Sequence, residues 1–349
     1  MVRSLAPYLA EKGWDVTVYG RPGAVRLDDP SAHPRVITRV TAGLETQSLS
    51  TLSYGLTSTV DSTFRRPDVA LVMNVANGYF LPILRARGIP TLVNVDGIEW
   101  ERAKWSRLAK RVFHRGALFT ARWADGLIFD AQAVERYWHR EFGKCGTFIP
   151  YGGDPPPELP TPAGLTHRGY VLMVARFVPE NSLDEFFQAV PRIATRWPVI
   201  IVGSSGYGGH WDEAAARLEA NYPLVSWLGH VSDDSLLHSL WQHAGVYFHG
   251  HTVGGTNPAL VQAMASGAPI IARDSVYNME VLGSTGTYVT ADPESIVDAI
   301  WRLMDDASEL HKASTANARR AAEYYSWKTV CSDYEILFHD LLGRSRDGR

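Results

Sequence analysis

Residues 249–271, HGHTVGGTNPALVQAMASGAPII, constrain the fold more than any other stretch of the chain. An apolar strand at 245–248 precedes a glycine turn, and a small apolar helix at 259–266 leads directly into a second strand at 270–271. A helix this apolar has to be buried. The stretch therefore predicts a strand–turn–helix–strand unit inside an α/β layered domain.

The turn before this helix is suited to an anion. Gly254 and Gly255 leave backbone amides unobstructed, Asn257 can cap the helix, and Pro258 fits the first turn, where its missing N–H costs nothing. Free amides beside the positive end of a helix dipole bind phosphate or diphosphate. On these residues alone, an ordinary structural unit without a ligand explains the pattern equally well.

Length and composition predict a soluble globular protein of two domains. The chain has 349 residues, of which 45% are apolar and 20% charged. No apolar run approaches the roughly 18 residues that span a bilayer, and the start lacks the apolar core of a signal peptide. Two cysteines without metal-binding spacing, Cys145 and Cys331, indicate a reducing cytoplasm. An isoelectric point near 6.5 argues against a nucleic-acid partner.

Strands alternate with helical patterns in both halves of the chain, which predicts two α/β domains with a ligand in the cleft between them. Segment 155–164 holds five prolines and is typical of an extended linker between a first domain at 1–154 and a second at 165–326. A last amphipathic helix is predicted at 327–342. Because the chain opens on a helix at 2–12 rather than on a strand, we expect the first strand of the first domain and its glycine loop to be missing.

A dense group of polar residues follows the strand predicted at 91–95. Asp96 lies at the carboxyl edge, where α/β sheets bind ligands. Asp96 and Glu99 could serve as a base or as acceptors for hydroxyl groups, and Arg102 and Lys104 could bind an anion.

Basic and aromatic residues then alternate along a helix predicted at 102–122. A basic amphipathic helix with aromatic side chains can lie on an anionic membrane surface, here the inner face of the cell membrane. A solvated helix that covers the sheet fits the same pattern equally well.

Three further candidate positions follow strands in the second half. Arg176 could clamp a diphosphate with its guanidinium fork, or could pair with Glu180 on the surface. Gly203 begins a glycine-rich loop that lacks the spacing of a dinucleotide fingerprint, which indicates a nucleotide-facing or merely flexible loop. His249 and His251 alternate at a strand end without a third ligand at a telling distance. We therefore expect no metal there and place His249 at the edge of the cleft.

Several longer motifs resemble one family. They are NVDGIEWERAKW at 94–105, IPYGGD at 149–154, VARFVPENSLDEF at 174–186, HGHTVGGTNP at 249–258, AMASGAPII at 263–271 and SWKTVCSDY at 326–334. The chain resembles a retaining glycosyltransferase of the GT-B fold, in the rhamnosyltransferase-like branch that builds bacterial surface polysaccharides. The resemblance covers nearly the whole chain. It implies two Rossmann-like domains facing a central cleft, with the last helix crossing back to the first domain.

The resemblance also implies ligands and roles. The second domain would bind a nucleotide-diphosphate sugar, with dTDP-rhamnose favoured over GDP- or UDP-linked donors, and the first domain a saccharide or polyprenyl-linked acceptor. No cofactor and no metal are expected, because side chains and helix termini neutralise the leaving diphosphate. Asp96 and Arg176 would be catalytic, and Glu99, Arg102 and Lys104 would lie on the acceptor side. The donor would contact Gly203, His249, Gly254, Gly255, Thr256, Asn257, Gln262 and Asn181.

The chain departs from wider relatives at positions of this site. Two glutamates eight positions apart are replaced by Gly254 and Gln262, and a lysine expected near Glu180 and Asn181 is absent. Gln262 keeps an acceptor oxygen for ribose hydroxyls without the carboxylate charge. A glycosyltransferase is the leading hypothesis, and a non-catalytic nucleotide-sugar-binding or scaffold protein of the same fold is the alternative. Hydrolase and ATPase functions lack support, because no nucleophile elbow, Cys–His pair or Walker loop is present.

Overall fold

The chain forms two compact units. The computed structural model describes residues 1–22, 33–44, 50–103, 105–206 and 208–347, with backbone only for 345–347. One unit comprises Met1–Pro150 and Trp327–Arg349, and the other comprises Tyr151–Ser326. Every strand pair in the described residues is parallel.

The first unit is an α/β unit with a four-stranded sheet. Its strands are β1 (Val16–Gly20), β2 (Val36–Val40), β3 (Ala70–Met73), β4 (Thr91–Asn94), β5 (Gly126–Phe129) and β6 (Thr147–Phe148). Its helices are α1 (Val2–Glu11), α2 (Ser50–Arg65), α3 (Leu81–Ala86), α4 (Arg107–Trp123), α5 (Gln132–Phe142) and, from the end of the chain, α13 (Trp327–Asp347). Strands β3 to β6 pair in sequence order, and β1 pairs with β2 separately.

The second unit is doubly wound around six strands. They are β7 (Val171–Val174), β8 (Val199–Val202), β9 (Val225–Trp227), β10 (Val246–His249), β11 (Ile270–Arg273) and β12 (Thr287–Val289). The helices are α6 (Leu183–Ile193), α7 (His210–Asn221), α8 (Asp234–His243), α9 (Pro258–Ala265), α10 (Val276–Leu282), α11 (Pro293–Met304) and α12 (Ala307–Tyr324). In the order β12-β11-β10-β7-β8-β9, the chain builds outward from β7 in one direction and then from β10 in the other.

Alternate residues of the central strands enter two different apolar clusters. Val171 and Met173 pack with residues of α6 and α11, whereas Leu172 and Ile200 pack with residues of α8 and α9. Successive side chains of a strand point to opposite faces, so helices cover both faces of this sheet. This explains why β8 and β10 are buried at every position.

Arg168 joins the carboxyl ends of two helices at the amino edge of this sheet. Its guanidinium donates to the carbonyl oxygens of Ala244 and Gly267, just beyond α8 and α9, at 2.6 and 3.0 Å, and to Ser314 of α12 at 2.9 Å. Burial lowers the pKa of Arg168. The carbonyls at the negative ends of two helices favour a cation at this position.

The proline-rich segment 155–164 lies along α8 without forming a helix or strand. Ser239 Oγ donates to the Pro160 carbonyl at 2.6 Å, and the Leu159 amide donates to Gln242 at 2.9 Å. The Leu159 carbonyl accepts from His243 Nε2 at 2.8 Å. The segment is therefore fastened to the second unit.

The last helix, α13, packs within the first unit. Tyr334 is fully buried, and its hydroxyl accepts a hydrogen bond from Asn94 Nδ2 at 2.7 Å. Tyr8 and Trp14 donate to the carboxylate of Glu335 at 3.2 and 3.3 Å. These contacts tie the end of the chain to its beginning and to the end of β4.

Some elements differ from those that the sequence predicts. The helix predicted at 102–122 begins only at Arg107, because the side chain of Ser106 caps it by accepting from the Ala109 amide. The first unit ends at Pro150, a few residues before the predicted boundary. Helices α2 and α10 and strand β12 carry no sequence prediction. No helix in the described ranges is long and apolar enough to cross a membrane.

Replacing Tyr334 with Phe tests the attachment of α13. The change leaves the buried Asn94 amide without its partner, so we expect the free energy of unfolding to fall by about 1–3 kcal/mol. Urea unfolding measures the change. Tyr324→Phe is the matched control, since Tyr324 is 52% exposed. Equal stability of the two variants would contradict a structural role for the Asn94–Tyr334 hydrogen bond.

Candidate functional site

The candidate donor site of the second unit lies where strand order reverses. Strands β7 and β10 are neighbours in the sheet, and the chain leaves them in opposite directions. Open α/β sheets bind ligands at the carboxyl ends of such a strand pair. The loops after β7 and β10 carry most of the predicted donor residues.

Arg176 lies on the loop after β7 with its side chain exposed to solvent. Among the described residues its guanidinium has no hydrogen bond and no ion pair, so the pairing with Glu180 considered from the sequence is not formed. The loop itself is fixed, because the amides on either side of Arg176 donate to Val202 and Ser204 at 3.0 and 3.1 Å. The structure thus presents an unpaired cation on a held backbone.

The turn after β10 forms the predicted start of a helix. Gly254 adopts φ 103°, which glycine reaches without steric cost. Asn257 caps α9 by accepting from the Ala259 amide at 2.9 Å, and Pro258 occupies the first turn. Gly255 is half-buried and Thr256 is buried in the turn. The positive end of α9 therefore lies at the carboxyl edge of the sheet, where the sequence places it.

Gln262 lies one turn into α9 and is partly buried. Gly203 follows β8, adopts φ 133° and touches the loop after β7. A Cβ atom at Gly203 would collide with the carbonyl oxygen of Ala175. Glycine is thus required there for the close approach of two loops.

Side chains lock the loops after β7 and β10 together. Asn181 donates to the Arg176 carbonyl at 2.7 Å, and its oxygen is 2.6 Å from Nδ1 of His251. Ser182 Oγ donates to the Gly250 carbonyl at 2.9 Å. The side-chain amide of Asn181, a residue predicted to contact the sugar donor, thus forms hydrogen bonds to both loops.

His249, which the sequence predicts as a polar residue at the edge of the cleft, is buried at the carboxyl end of β10. It is 3% exposed, because β10 is a central strand with a neighbour on each side. Its Nδ1 lies 2.9 Å from the Tyr247 hydroxyl, and its Nε2 has no partner in the described residues. Burial, reinforced by the nearby His251, lowers the pKa of His249 to about 3, so the ring is neutral near pH 7.

Asp96 follows β4 in the first unit, in the left-handed conformation with φ 61°. Its Oδ2 accepts from Asn74 Nδ2 at 3.1 Å, and its amide donates to Asn94 Oδ1 at 2.9 Å. Asp130, which is buried, follows the neighbouring strand β5. Polar side chains thus follow three adjacent strands at one edge of the sheet.

Glu99 and Arg102, predicted to contact the acceptor, pair with each other. Arg102 Nε is 2.8 Å from Glu99 Oε1, and Trp105 Nε1 donates to Glu99 Oε2 at 2.8 Å. Glu99 is buried. The opposite charges of Glu99 and Arg102 therefore offset each other within this ion pair. Lys104 lies outside the described residues.

Helix α4 exposes one mixed cationic and apolar face. Along this 17-residue helix no acidic residue occurs. The exposed positions share one face, because they recur at spacings of three and four. They are Arg107, Leu108, Arg111, Arg115, Leu118, Phe119 and Arg122.

Four polar residues beside these sites carry no prediction from the sequence. Asn74 and Asp130 each follow an apolar run, a signal that could have identified them. Asn94 is the last residue of the apolar strand β4, and Tyr334 reaches it from a position 240 residues away, which no local pattern reveals. No group of three or more histidine, cysteine or acidic side chains suited to a metal ion occurs in the part of the chain that is described.

Sequence families match both units. The family described as "Glycosyl transferase 4-like domain" matches residues 1–152, and the family described as "Glycosyl transferases group 1" matches residues 168–306. Together the two matches cover most of the chain.

Two curated relatives are mannosyltransferases of mycolicibacteria. The chain is 26% identical over 211 residues to an MMP alpha-(1->4)-mannosyltransferase of Mycolicibacterium hassiacum. This match covers 56% of this chain and 48% of the relative. It is also 26% identical over 179 residues to a GDP-mannose-dependent alpha-(1-6)-phosphatidylinositol monomannoside mannosyltransferase of Mycolicibacterium smegmatis. This second match covers 48% of this chain and 46% of the relative. The chain spans about half the length of the curated relatives it matches.

Among solved structures, a sucrose-phosphate synthase from Thermosynechococcus elongatus superposes with a TM-score of 0.80. The match covers 98% of this chain and 93% of that one at 18% identity, which is a likeness of fold alone. The predicted GT-B fold is confirmed. The first unit therefore carries a glycosyl transferase 4-like domain and the second a group 1 glycosyl transferase domain, and the two α/β units are the Rossmann-like domains of the GT-B fold.

Proposed function

We propose that this protein transfers a hexosyl group from a nucleotide-diphosphate donor to a saccharide or polyprenyl-linked saccharide, with retention at the anomeric carbon. The observation that carries the proposal is that an unpaired arginine, Arg176, and the start of α9 follow the two neighbouring strands at which the strand order reverses. Both groups are suited to a diphosphate.

The chemistry follows from where charge develops. The bond from the anomeric carbon to the diphosphate oxygen breaks, the bond to the acceptor oxygen forms, and the hydroxyl proton leaves with the nucleoside diphosphate. Arg176 and the amides of Gly255 to Asn257 stabilise the charge on the leaving group, in place of a metal ion. In the first unit, Asp96 orients the acceptor hydroxyl by accepting its hydrogen bond. The side-chain oxygen of Gln262 accepts a hydrogen bond from a hydroxyl group on the pentose ring of the nucleotide.

The donor sugar is the part of the proposal that needs a direct comparison. The sequence motifs favour dTDP-rhamnose, whereas the curated relatives transfer mannose, one of them from GDP-mannose by its name. Both donors share the diphosphate and the hexose that the site is proposed to bind. They differ in the base and in the sugar hydroxyls.

Release of nucleoside diphosphate tests the function. The protein is incubated with dTDP-rhamnose, GDP-mannose or UDP-glucose, with and without octyl glycosides as acceptors, while donor binding is measured by calorimetry. We expect release from one donor that depends on the acceptor. Binding without release, unchanged in a Gln262→Glu variant, would instead support a nucleotide-sugar-binding protein without transfer activity.

Arg176→Ala should lower kcat/KM for the donor by about 100-fold, because one preorganised cation at the leaving group is lost. Arg176→Lys should recover part of this loss, since it keeps the charge without the bidentate fork. Arg217→Ala is the control, an exposed arginine on α7 of the same unit. Donor kinetics of Arg176→Ala within twofold of the wild type would refute the assigned role.

We also propose that the exposed face of α4 contacts anionic lipid at the cytoplasmic side of the membrane. Four arginines and three large apolar residues share this face, and the helix has no acidic residue to offset them. Basic side chains gain from anionic headgroups, and interfacial apolar side chains gain from burial. Such a contact would bring the first unit to a polyprenyl-linked acceptor.

The lipid contact is tested by sedimentation with vesicles. Arg111→Gln combined with Arg115→Gln should weaken binding to phosphatidylglycerol vesicles by about 30-fold, since each basic residue near the surface contributes about 1 kcal/mol. The control, Arg217→Gln with Arg302→Gln, makes the same charge change on exposed positions of the second unit. Equal binding to phosphatidylcholine vesicles, or no effect of the first pair, would contradict the proposal.

A further inference from the structure

Two residues other than glycine have a positive φ at the ends of adjacent strands. Asn74 follows β3 with φ 69°, and Asp96 follows β4 with φ 61°. Glycine would adopt such angles at no steric cost, so the side chains present at these positions need a reason. Strained residues of this kind cluster at functional sites.

The side-chain amide of Asn74 has only one orientation that satisfies its contacts. Its Oδ1 accepts from the Ala76 amide at 2.9 Å, so its Nδ2 must face Asp96, where it donates to Oδ2 at 3.1 Å. The backbone amide of Asn74 in turn donates to the Asn94 carbonyl at 2.9 Å. Both ends of the side chain and the backbone of Asn74 are therefore fixed against the neighbouring strand.

Asp96 is held at its backbone as well as at its carboxylate. Asn94 Oδ1 accepts from the Asp96 amide, and Asn94 Nδ2 donates to Tyr334 of α13. Asn74 occupies Oδ2 of the carboxylate, whereas Oδ1 has no hydrogen bond in the described ranges of the chain. Asp96 is partly exposed, so this second oxygen is available to a ligand.

We infer that Asn74 is a positioning residue for Asp96, which fixes one carboxylate oxygen so that the other presents its lone pair to the acceptor hydroxyl. The inference rests on the proposed function, which places the acceptor at Asp96. Asn74 does not itself touch the acceptor. It acts by removing the rotation of the carboxylate, and a fixed acceptor geometry is what orients a reacting hydroxyl.

The test uses Asn74→Asp. Aspartate has the shape of asparagine and is, like it, enriched at positive φ, and it can still accept from the Ala76 amide, so the change removes the donor to Asp96 and adds a second carboxylate there. Asn221→Asp, at an exposed position at the end of α7, makes the same charge change elsewhere. Rates are measured against acceptor concentration and pH, and binding of the nucleoside diphosphate is measured by calorimetry.

We expect Asn74→Asp to lower kcat/KM for the acceptor at least tenfold. The acid limb of its rate–pH profile should move to higher pH, because two adjacent carboxyl groups resist ionising together. Nucleoside diphosphate binding should be unchanged, and Asn221→Asp should behave as the wild type. A purely structural role would lower the rate without moving the pH profile, and that result would overturn the inference.

Failure of the inference and failure of the proposed function give different results. If the wild type transfers sugar and Asn74→Asp keeps its acceptor kinetics and pH profile, the positioning role is refuted and the function stands. If the wild type releases no nucleoside diphosphate with any donor and acceptor, the proposed function is refuted, and the inference fails with it. A weakened donor affinity in Asn74→Asp would place the effect outside the acceptor side and would also refute the positioning role.

Discussion

The pairing of β7 with β10 is the contact on which the second unit depends. It joins two halves of the sheet that the chain builds in opposite directions, and it alone places the loops after both strands side by side. The hydrogen bonds of Asn181 and Ser182 across these loops then fix their separation. An anion site built from two loops that are far apart in sequence needs that rigidity, because neither loop alone fixes the position of the other.

The same logic operates in the first unit with different residues. There the side chains beyond β3 and β4 bond to each other, and α13 supplies a buried hydroxyl beneath them. The backbone conformations of Asn74 and Asp96 are costly in isolation and persist because the surrounding contacts determine them. Both units thus place polar side chains on a backbone that is held from below by buried contacts.

Local signals were enough to predict the parts of the fold and site that arise within one segment. The cap and proline at the start of α9, and the position of Asp96 after a buried strand, follow from adjacent residues. Helix α2 escaped prediction because its buried positions are mostly serine and threonine, which give no apolar periodicity. The hydrogen bonds of Asn74 and Tyr334 escaped prediction because their partners lie 22 and 240 residues away. His249 was expected at the edge of the cleft, and its burial was missed because a histidine at a strand end gives no sign of a central strand.

Arg168 lies at the edge of the second unit where the negative ends of its helices meet. Because each helix after β7, β8, β9 and β10 starts at the carboxyl edge of one parallel sheet, their positive ends gather there and their negative ends gather at the opposite edge. The guanidinium of Arg168 stands among those negative ends and balances them. At the opposite edge the positive helix ends face the loops that we propose bind the diphosphate, so the topology that folds the unit also aims its helix dipoles at that ligand.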